Sequence, residues 1–263
     1  AQVLRDAGYR TLMTGKWHLG VSEQYSPAAR GFDQSYALVH GGSSHWSDGA
    51  GIVAADPAKP PKAIYRENGK ETTLPKDFFS SDFFTSRLIE YIDAGKGSGK
   101  PFFAYLAFTA PHWPLHAHDA DIARYEQRYK DGYDKLRRER LERMKKLGLV
   151  AADTPVFEGH PLWPKWDSLS AAEKESEARR MAVYAAMVDN MDQNVGRMLD
   201  YLKKTGQLDN TFIFFLSDNG ADGNSVYDVA RTREWIHKDM DNSIAHIGKS
   251  GSYAEYGPGW AQV

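Results

Sequence analysis

Three short apolar runs constrain the fold of this chain more than any other feature. They cover residues 9–13, 102–108 and 211–216, and each is followed at once by a cluster rich in glycine, proline, histidine, aspartate or asparagine. Short, nearly continuous runs of aromatic and aliphatic residues are typical of strands buried on both faces, as in a parallel sheet flanked by helices. The runs therefore predict three central strands of one sheet.

Helical patterns lie between these runs. Ser170 and Glu173 form a capping-box pattern, and apolar residues then recur at helical spacing until Gly206 ends the pattern. Residues 83–93 predict a shorter helix before the second run. Helices that alternate with strands indicate an α/β fold with a mostly parallel sheet flanked by helices.

Composition and charge exclude several function classes. The 263 residues contain 33 Lys and Arg against 35 Asp and Glu, so the net charge of −2 creates no overall field for nucleic acid or acidic lipid. The basic stretch 124–146 is interrupted by acidic residues, which indicates a solvated helix with charge pairs rather than a nucleic-acid surface. No apolar run approaches the roughly 18 to 20 residues of a membrane span. Cysteine is absent, which excludes disulfides, thiolate metal sites and a cysteine nucleophile within these residues.

Residues with catalytic or ligand-binding chemistry follow all three runs. Lys16 and His18 come after the first run, His112 after the second, and Asp218 with Asn219 after the third. Ligands of open α/β sheets bind beyond the carboxyl ends of the strands. Cationic donors suit a multiply charged oxyanion, and carboxylate and amide oxygens suit Ca²⁺ or Mg²⁺. Each residue alone is common in turns, but their shared position predicts one anion-binding site with a hard metal.

Longer motifs resemble one enzyme family. Residues 8–20, GYRTLMTGKWHLG, resemble the second sulfatase signature, and residues 110–115, APHWPL, resemble the sulfatase loop that carries a sulfate-binding histidine. Blocks within 27–33, 209–220 and 241–261 are similar to further segments of bacterial arylsulfatases, in the same order. The chain thus resembles the arylsulfatase type of sulfatase, in the alkaline-phosphatase-like superfamily.

The resemblance implies hydrolysis of a small-molecule or glycan sulfate ester to alcohol and sulfate. Sulfatases use a formylglycine hydrate as nucleophile beside a divalent metal that is usually Ca²⁺. Asp218 and Asn219 match metal ligands, and Lys16 matches the lysine that contacts the hydrate and the sulfate. His18 matches the histidine that takes a proton as sulfate is expelled, and His112 matches the histidine that binds sulfate and supports departure of the alcohol.

The sequence departs from the family pattern at three places. The Cys/Ser-x-Pro-x-Arg motif that yields formylglycine, the paired N-terminal aspartates of the metal site and a second active-site lysine are absent, and residues 26–30 carry proline one place too early. The resemblance therefore implies that residues 1–263 form part of a sulfatase catalytic domain and are inactive alone, with formylglycine outside them. Residues 40–75 and 120–168 are expected to be insertions or loops, and the parent protein is expected in the periplasm or secreted.

Two alternatives remain open at this point. One is a phosphonate monoester or phosphodiester hydrolase of the same superfamily, which relative rates on aryl sulfate and aryl phosphonate would distinguish. The other is a non-catalytic module that binds sulfated glycans, which loss of the nucleophile motif from the parent gene would favour. The roles of His116 and His118, close to the His112 loop, are also open.

Overall fold

The computed structural model describes residues 1–52, 61–223 and 230–263, which include a five-stranded sheet with the order β4-β3-β2-β1-β5. Strand β1 is parallel to both β2 and β5, and the short strands β3 and β4 extend the sheet in antiparallel pairing. The predicted α/β class is confirmed, and the sheet is parallel where its strands are longest. The strands are β1 (Arg10–Lys16), β2 (Gln34–Leu38), β3 (Tyr65–Glu67), β4 (Lys70–Thr72) and β5 (Phe102–Ala107).

Strand β1 is central, as the first apolar run predicts, because both of its faces are covered. On one face Leu12 packs with Leu88 and Ile92 of helix α2 (Ser80–Asp93). On the other face Met13 packs with Phe32 and Ala37. Since neither face meets water, β1 consists of apolar and small residues along nearly its whole length.

The second and third runs differ from the prediction of central strands. Residues 102–107 form a strand, but β5 pairs only with β1 and is an edge of the described sheet, with Tyr105 47% exposed. Residues 211–216 form no strand, and their large side chains are exposed, Phe212 by 90%. The strand predicted for the third run is therefore wrong. A strand needs a hydrogen-bonding partner as well as apolar side chains, and no described strand lies beside this run.

The helices agree more closely with the sequence patterns. The longest, α5, begins at the predicted capping box, because the Glu173 amide donates to Ser170 Oγ over 3.3 Å and the Ser170 amide donates to Glu173 Oε2 over 2.7 Å. Helix α2 includes the shorter predicted helix. The helices are α1 (Gln2–Asp6), α2, α3 (Asp119–Ala123), α4 (Gly132–Lys146), α5 (Ala171–Lys204), α6 (Ala230–Asp239) and α7 (Gly257–Trp260).

Helix α5 joins two parts of the core. Near its carboxyl end Met198 and Tyr201 pack against the cluster formed by β1 and α2. Nearer its amino end Val183 and Met187 pack in a second cluster that includes Trp166 and Trp260. The sheet and the loops beyond its carboxyl ends are thus supported by one continuous helix.

The stretch 124–146 contains the charged helix that the sequence predicts. Helix α4 carries ion pairs between Arg137 and Asp134 at 3.0 Å and between Lys145 and Glu142 at 3.1 Å. No described helix is both long and apolar enough to cross a bilayer.

The two ranges expected to be insertions differ in content. Residues 40–75 contain β3 and β4, with 53–60 outside the described residues, and residues 120–168 contain α4. Their assignment as insertions remains a prediction.

Candidate active site

Lys16 and His18 lie at the carboxyl end of the central strand. The strand requires glycine at position 15, because a Cβ there would lie 1.8 Å from the carbonyl oxygen of Ala107 in β5. Lys16 follows as the last residue of β1 and is half-buried. His18 is exposed and adopts a left-handed backbone with φ of 52°, which is uncommon for a residue other than glycine.

The loop after β2 brings the two predicted histidines to one place. A Cβ at Gly41 would lie 2.6 Å from Cε1 of His18, and a Cβ at Gly42 would lie 3.2 Å from Cε1 and Nδ1 of His112. The two imidazoles therefore lie against consecutive glycines. A side chain at Gly41 would collide with His18, and one at Gly42 would collide with Cδ1 of Ile52 at 2.3 Å and crowd His112. This Gly-Gly pair is not among the residues singled out from the sequence, although a glycine pair that begins three residues beyond a strand is a recognisable signal.

His40 is a further histidine at this edge of the sheet that the sequence analysis missed. Its Nδ1 accepts a hydrogen bond from the amide of Ile64 over 3.1 Å. Burial lowers the pKa of His40, and the nearby charge of His18 lowers it further. A neutral imidazole is thus favoured beside His18.

Three hydrogen bonds to other described residues hold His112, and none of them uses its Nε2. Its amide donates to the carbonyl oxygen of Thr109 over 3.0 Å, and its Nδ1 donates to the carbonyl oxygen of Trp113 over 2.5 Å. Its own carbonyl oxygen accepts from Nε2 of His45 over 3.0 Å. Nε2 is therefore the ring nitrogen left for a substrate.

The charges around His112 converge from several loops. Burial lowers its pKa, the bond to the Trp113 carbonyl opposes that change, and the positive charge of Lys16 lowers the pKa again. The carboxylates of Asp222 and Asp218 act in the opposite direction. The pKa of His112 is therefore lowered by Lys16 from the first predicted loop and raised by Asp218 and Asp222 after the third run.

Asp218 and Asn219 lie on an exposed segment after the run that forms no strand. The Asn219 amide donates to the carbonyl oxygen of Gly220 over 2.7 Å. The negative charge of Asp218 raises the pKa of His112, so Asp218 acts on the predicted site. The Asn219 side chain instead donates to the backbone of the next residue. Asp222, which sequence reasoning missed, accepts a hydrogen bond from Nε1 of Trp113 over 2.9 Å and ties the two loops together.

The two histidines left open by the sequence have structural partners. His116 is fully buried, and its Nε2 donates to the carbonyl oxygen of Ser252 over 2.9 Å. Nε2 of His118 lies 2.9 Å from Oδ2 of Asp82, an interaction that raises the pKa of His118. Both rings are occupied by protein groups away from Lys16 and His18.

The described residues do not complete a metal site. Among residues 1–52, 61–223 and 230–263 no group of three or more histidine, aspartate or glutamate side chains could hold a metal ion. Asp218 and Asn219 offer about two or three oxygens, whereas Ca²⁺ takes roughly six to eight. Any metal site that uses them needs further ligands.

Comparison with known proteins decides the family. A sequence model described as Sulfatase matches residues 1–256. The chain belongs to the sulfatase family. Members of this family use a divalent metal and a formylglycine residue, and the alkaline-phosphatase-like fold agrees with the sheet and helices described above.

Individual sulfatases resemble the chain along its whole length. It is 42% identical over 267 residues to an uncharacterized sulfatase of Schizosaccharomyces pombe (strain 972 / ATCC 24843), which covers 100% of this chain and 48% of that protein. It is 39% identical over 263 residues to an arylsulfatase of Klebsiella aerogenes, which covers 100% of this chain and 55% of that protein. The chain spans about half the length of these curated relatives.

A solved structure supports the fold. The crystal structure of Ps i-CgsB in complex with k-i-k-neocarrahexaose superposes with a TM-score of 0.51 and 25% sequence identity. The match covers 80% of this chain and 37% of that one.

Proposed function

We propose that the protein containing this chain hydrolyses sulfate esters, R–O–SO₃⁻, to an alcohol and sulfate. The observation that carries the proposal is the placement of His18 and His112 against Gly41 and Gly42, with the charge of Lys16 acting on His112. Membership of the sulfatase family supports the same reaction. The arrangement offers a base, an acid and a fixed cation around one small volume.

Lys16 and His112 have complementary tasks in this proposal. Negative charge is present on the sulfuryl oxygens and develops on the oxygen of the departing alcohol, so a fixed ammonium group at Lys16 stabilises the transition state. Because Nδ1 of His112 donates to the Trp113 carbonyl, its Nε2 carries a hydrogen only in the protonated ring. A lowered pKa makes that hydrogen easier to transfer to the departing oxygen.

His18 supplies the opposite function. In this family formylglycine provides the nucleophilic hydroxyl, and residues 1–263 do not contain the motif that yields it. His18 is exposed, and its imidazole lies against Gly41 at the site. His18 would take the proton of the second hydroxyl of that formylglycine, and with the loss of this proton the carbon–oxygen bond to sulfate would break and the aldehyde would be restored.

We further propose a sulfated glycan as the natural substrate class and Ca²⁺ as the metal. The carbohydrate in the complex of Ps i-CgsB supports the first statement. The carboxylate and amide oxygens of Asp218 and Asn219, which are the ligand types that Ca²⁺ prefers, support the second.

Kinetics of the complete protein test the reaction. We expect 4-nitrophenyl sulfate to be cleaved faster than 4-nitrophenyl phenylphosphonate, and Lys16→Ala or His112→Ala to lower turnover by about a hundredfold to ten-thousandfold. His160→Gln, which changes an exposed histidine elsewhere, should leave the rate unchanged. A preference for the phosphonate would favour the phosphonate monoester or phosphodiester hydrolase. Tight binding of a sulfated glycan without turnover would favour a non-catalytic binding module.

Calorimetry tests the metal proposal separately. We expect the 263-residue chain to bind Ca²⁺ weakly, because Asp218 and Asn219 leave most of its roughly six to eight positions to water. The complete protein should bind more tightly, and Asp218→Asn should weaken that binding. Tight stoichiometric binding by the 263-residue chain would contradict the proposal that essential ligands lie outside it.

A further inference from the structure

A buried imidazole lies directly behind the His112 loop. His45 is 1% exposed, and its Nε2 is 3.0 Å from the carbonyl oxygen of His112. Its Nδ1 is 2.6 Å from Oγ of Ser80, at the start of α2. A carbonyl oxygen can only accept, so Nε2 of His45 carries the hydrogen and Nδ1 accepts from the Ser80 hydroxyl.

A second buried imidazole fixes the main chain of the first. The amide of His45 donates to Nδ1 of His116 over 3.2 Å, and Nε2 of His116 donates to the carbonyl oxygen of Ser252. Four separate segments therefore meet at two histidines. The hydrogen-bond partners assign one tautomer to each ring, with the hydrogen on Nε2 in both.

Neither ring is available for proton transfer to a substrate. Burial lowers the pKa of His45 to about 3 and also lowers the pKa of His116. A proton on Nδ1 of His116 would face the amide of His45, which can only donate, so this contact also favours the neutral ring of His116. These histidines hold their geometry without changing charge near neutral pH.

The position of His112 depends on this contact. Its carbonyl oxygen receives the His45 hydrogen bond, and its ring is bonded to the next carbonyl along the chain, that of Trp113. The bond from His45 therefore fixes the carbonyl group next to the Cα that carries the His112 ring, one peptide before the carbonyl that accepts from that ring. Because the His45 ring is itself buried, water is poorly placed to replace a lost donor at this contact.

We propose that His45 is a positioning residue for the sulfatase reaction, which holds the imidazole of His112 in register with Gly42 by donating to the His112 carbonyl oxygen. The inference rests on the proposed function of His112. In this role His45 acts only through the backbone of His112 and contacts neither Lys16 nor His18.

Histidine-selective ¹⁵N NMR of the complete protein tests the positioning without relying on turnover. The His112 signals are assigned by their loss in His112→Gln, and their shifts report which ring nitrogen carries the hydrogen. His45→Phe keeps a ring but removes the donor, whereas His45→Gln can place an amide hydrogen near the former Nε2. We expect the ¹⁵N shifts that report the hydrogen on Nδ1 of His112 to change in His45→Phe and to be retained in His45→Gln.

Kinetics give the second measurement. A misplaced catalytic group can lower turnover by about a hundredfold, so we expect kcat of His45→Phe to fall by between tenfold and a hundredfold with a smaller change in KM. His45→Gln should recover most of the loss. His118→Gln is the matched control, because it changes a histidine that follows the same loop but contacts Asp82 instead, and it should leave both the His112 signals and kcat unchanged.

The outcomes separate this inference from the proposed function. Unchanged His112 signals in folded His45→Phe would overturn the positioning role. If His45→Phe does not fold, His45→Asn decides, because its amide can still bond Ser80 near the former Nδ1 but is too short to reach the His112 carbonyl oxygen, and unaltered His112 signals there would overturn the role as well. Altered signals in a protein whose wild type cleaves no sulfate ester would support the positioning and contradict the proposed function alone.

Discussion

His18 combines an exposed imidazole with a backbone conformation that few residues adopt. Its φ of 52° lies in the left-handed region, and its ring is adjacent to Gly41, where a Cβ would be 2.6 Å away. Such conformations cost about 1 to 3 kcal/mol and persist where the surrounding structure enforces them, commonly at functional sites. The strain at His18 is therefore consistent with the basic role proposed for its side chain.

Replacement of His18 should separate the two halves of the reaction. In the complete protein we expect His18→Ala to release about one equivalent of alcohol and then stall, because nothing takes the proton that frees the sulfate. His18→Asn should behave alike, and asparagine tolerates the left-handed backbone, so the loss would not come from the fold. Rapid-mixing measurement of 4-nitrophenol checks this, with His160→Gln as control. Steady turnover at the wild-type rate in either variant would contradict the role of His18.

Helix α5 is the element whose stability follows most directly from local sequence. Its first turn is closed by the reciprocal bonds of Ser170 and Glu173, and its interior contains Gly196, where an added Cβ would meet nothing within 4 Å. Loss of the cap should lower the stability of α5, whereas replacement of the glycine should raise it. The two positions therefore provide a matched pair of tests.

We expect Ser170→Ala to lower the free energy of unfolding by about 1 kcal/mol, because the Glu173 amide loses its acceptor. Gly196→Ala should raise it by up to about 1 kcal/mol, since alanine loses less backbone entropy in a helix and has space here. Urea denaturation followed by circular dichroism measures both. Equal stability of Ser170→Ala and the unchanged chain would show that the first turn of α5 frays at no cost.

At the scale of the whole molecule, buried neutral histidines link folding to pH. His45 and His116 are both fully buried, and burial lowers the pKa of each below the ordinary value of 6.5. After unfolding, both rings meet water and regain ordinary pKa values. Between the folded and unfolded pKa values, the unfolded chain therefore binds protons that the folded chain does not.

This difference predicts that stability falls as the pH is lowered. The contribution of the two rings is fully present above pH 6.5 and is lost progressively down to the folded pKa, which for His45 is about 3. Each proton taken up on unfolding adds a slope of about 1.4 kcal/mol per pH unit. Urea midpoints between pH 7 and pH 4 measure it. In the double variant His45→Gln with His116→Gln, the free energy of unfolding should depend less steeply on pH. An unchanged dependence would show that the two histidines are not its cause.

Much of the architecture could be predicted because its signals are local. The capping box, the helical spacing up to Gly206 and the apolar content of β1 act between residues close in the chain, so the sequence predicts α5, α2 and β1 where the structure has them. The positions of Lys16, His18 and His112 after strands follow from the same patterns. Their motifs also indicate the sulfatase family, to which the whole-chain comparison assigns the protein.

The tertiary structure decided what depends on contacts between distant segments. Strand β2 lacks a conspicuous apolar run, yet its pairing with β1 brings Gly41 and Gly42 between His18 and His112. The run 211–216 has the composition of a central strand but no described partner, and it stays exposed. His45 looks like an ordinary loop residue until its bond to the His112 carbonyl, 67 positions away, is seen. Local sequence determined which residues are candidates for the chemistry, whereas strand pairing and burial, which are non-local, decided which of these candidates meet.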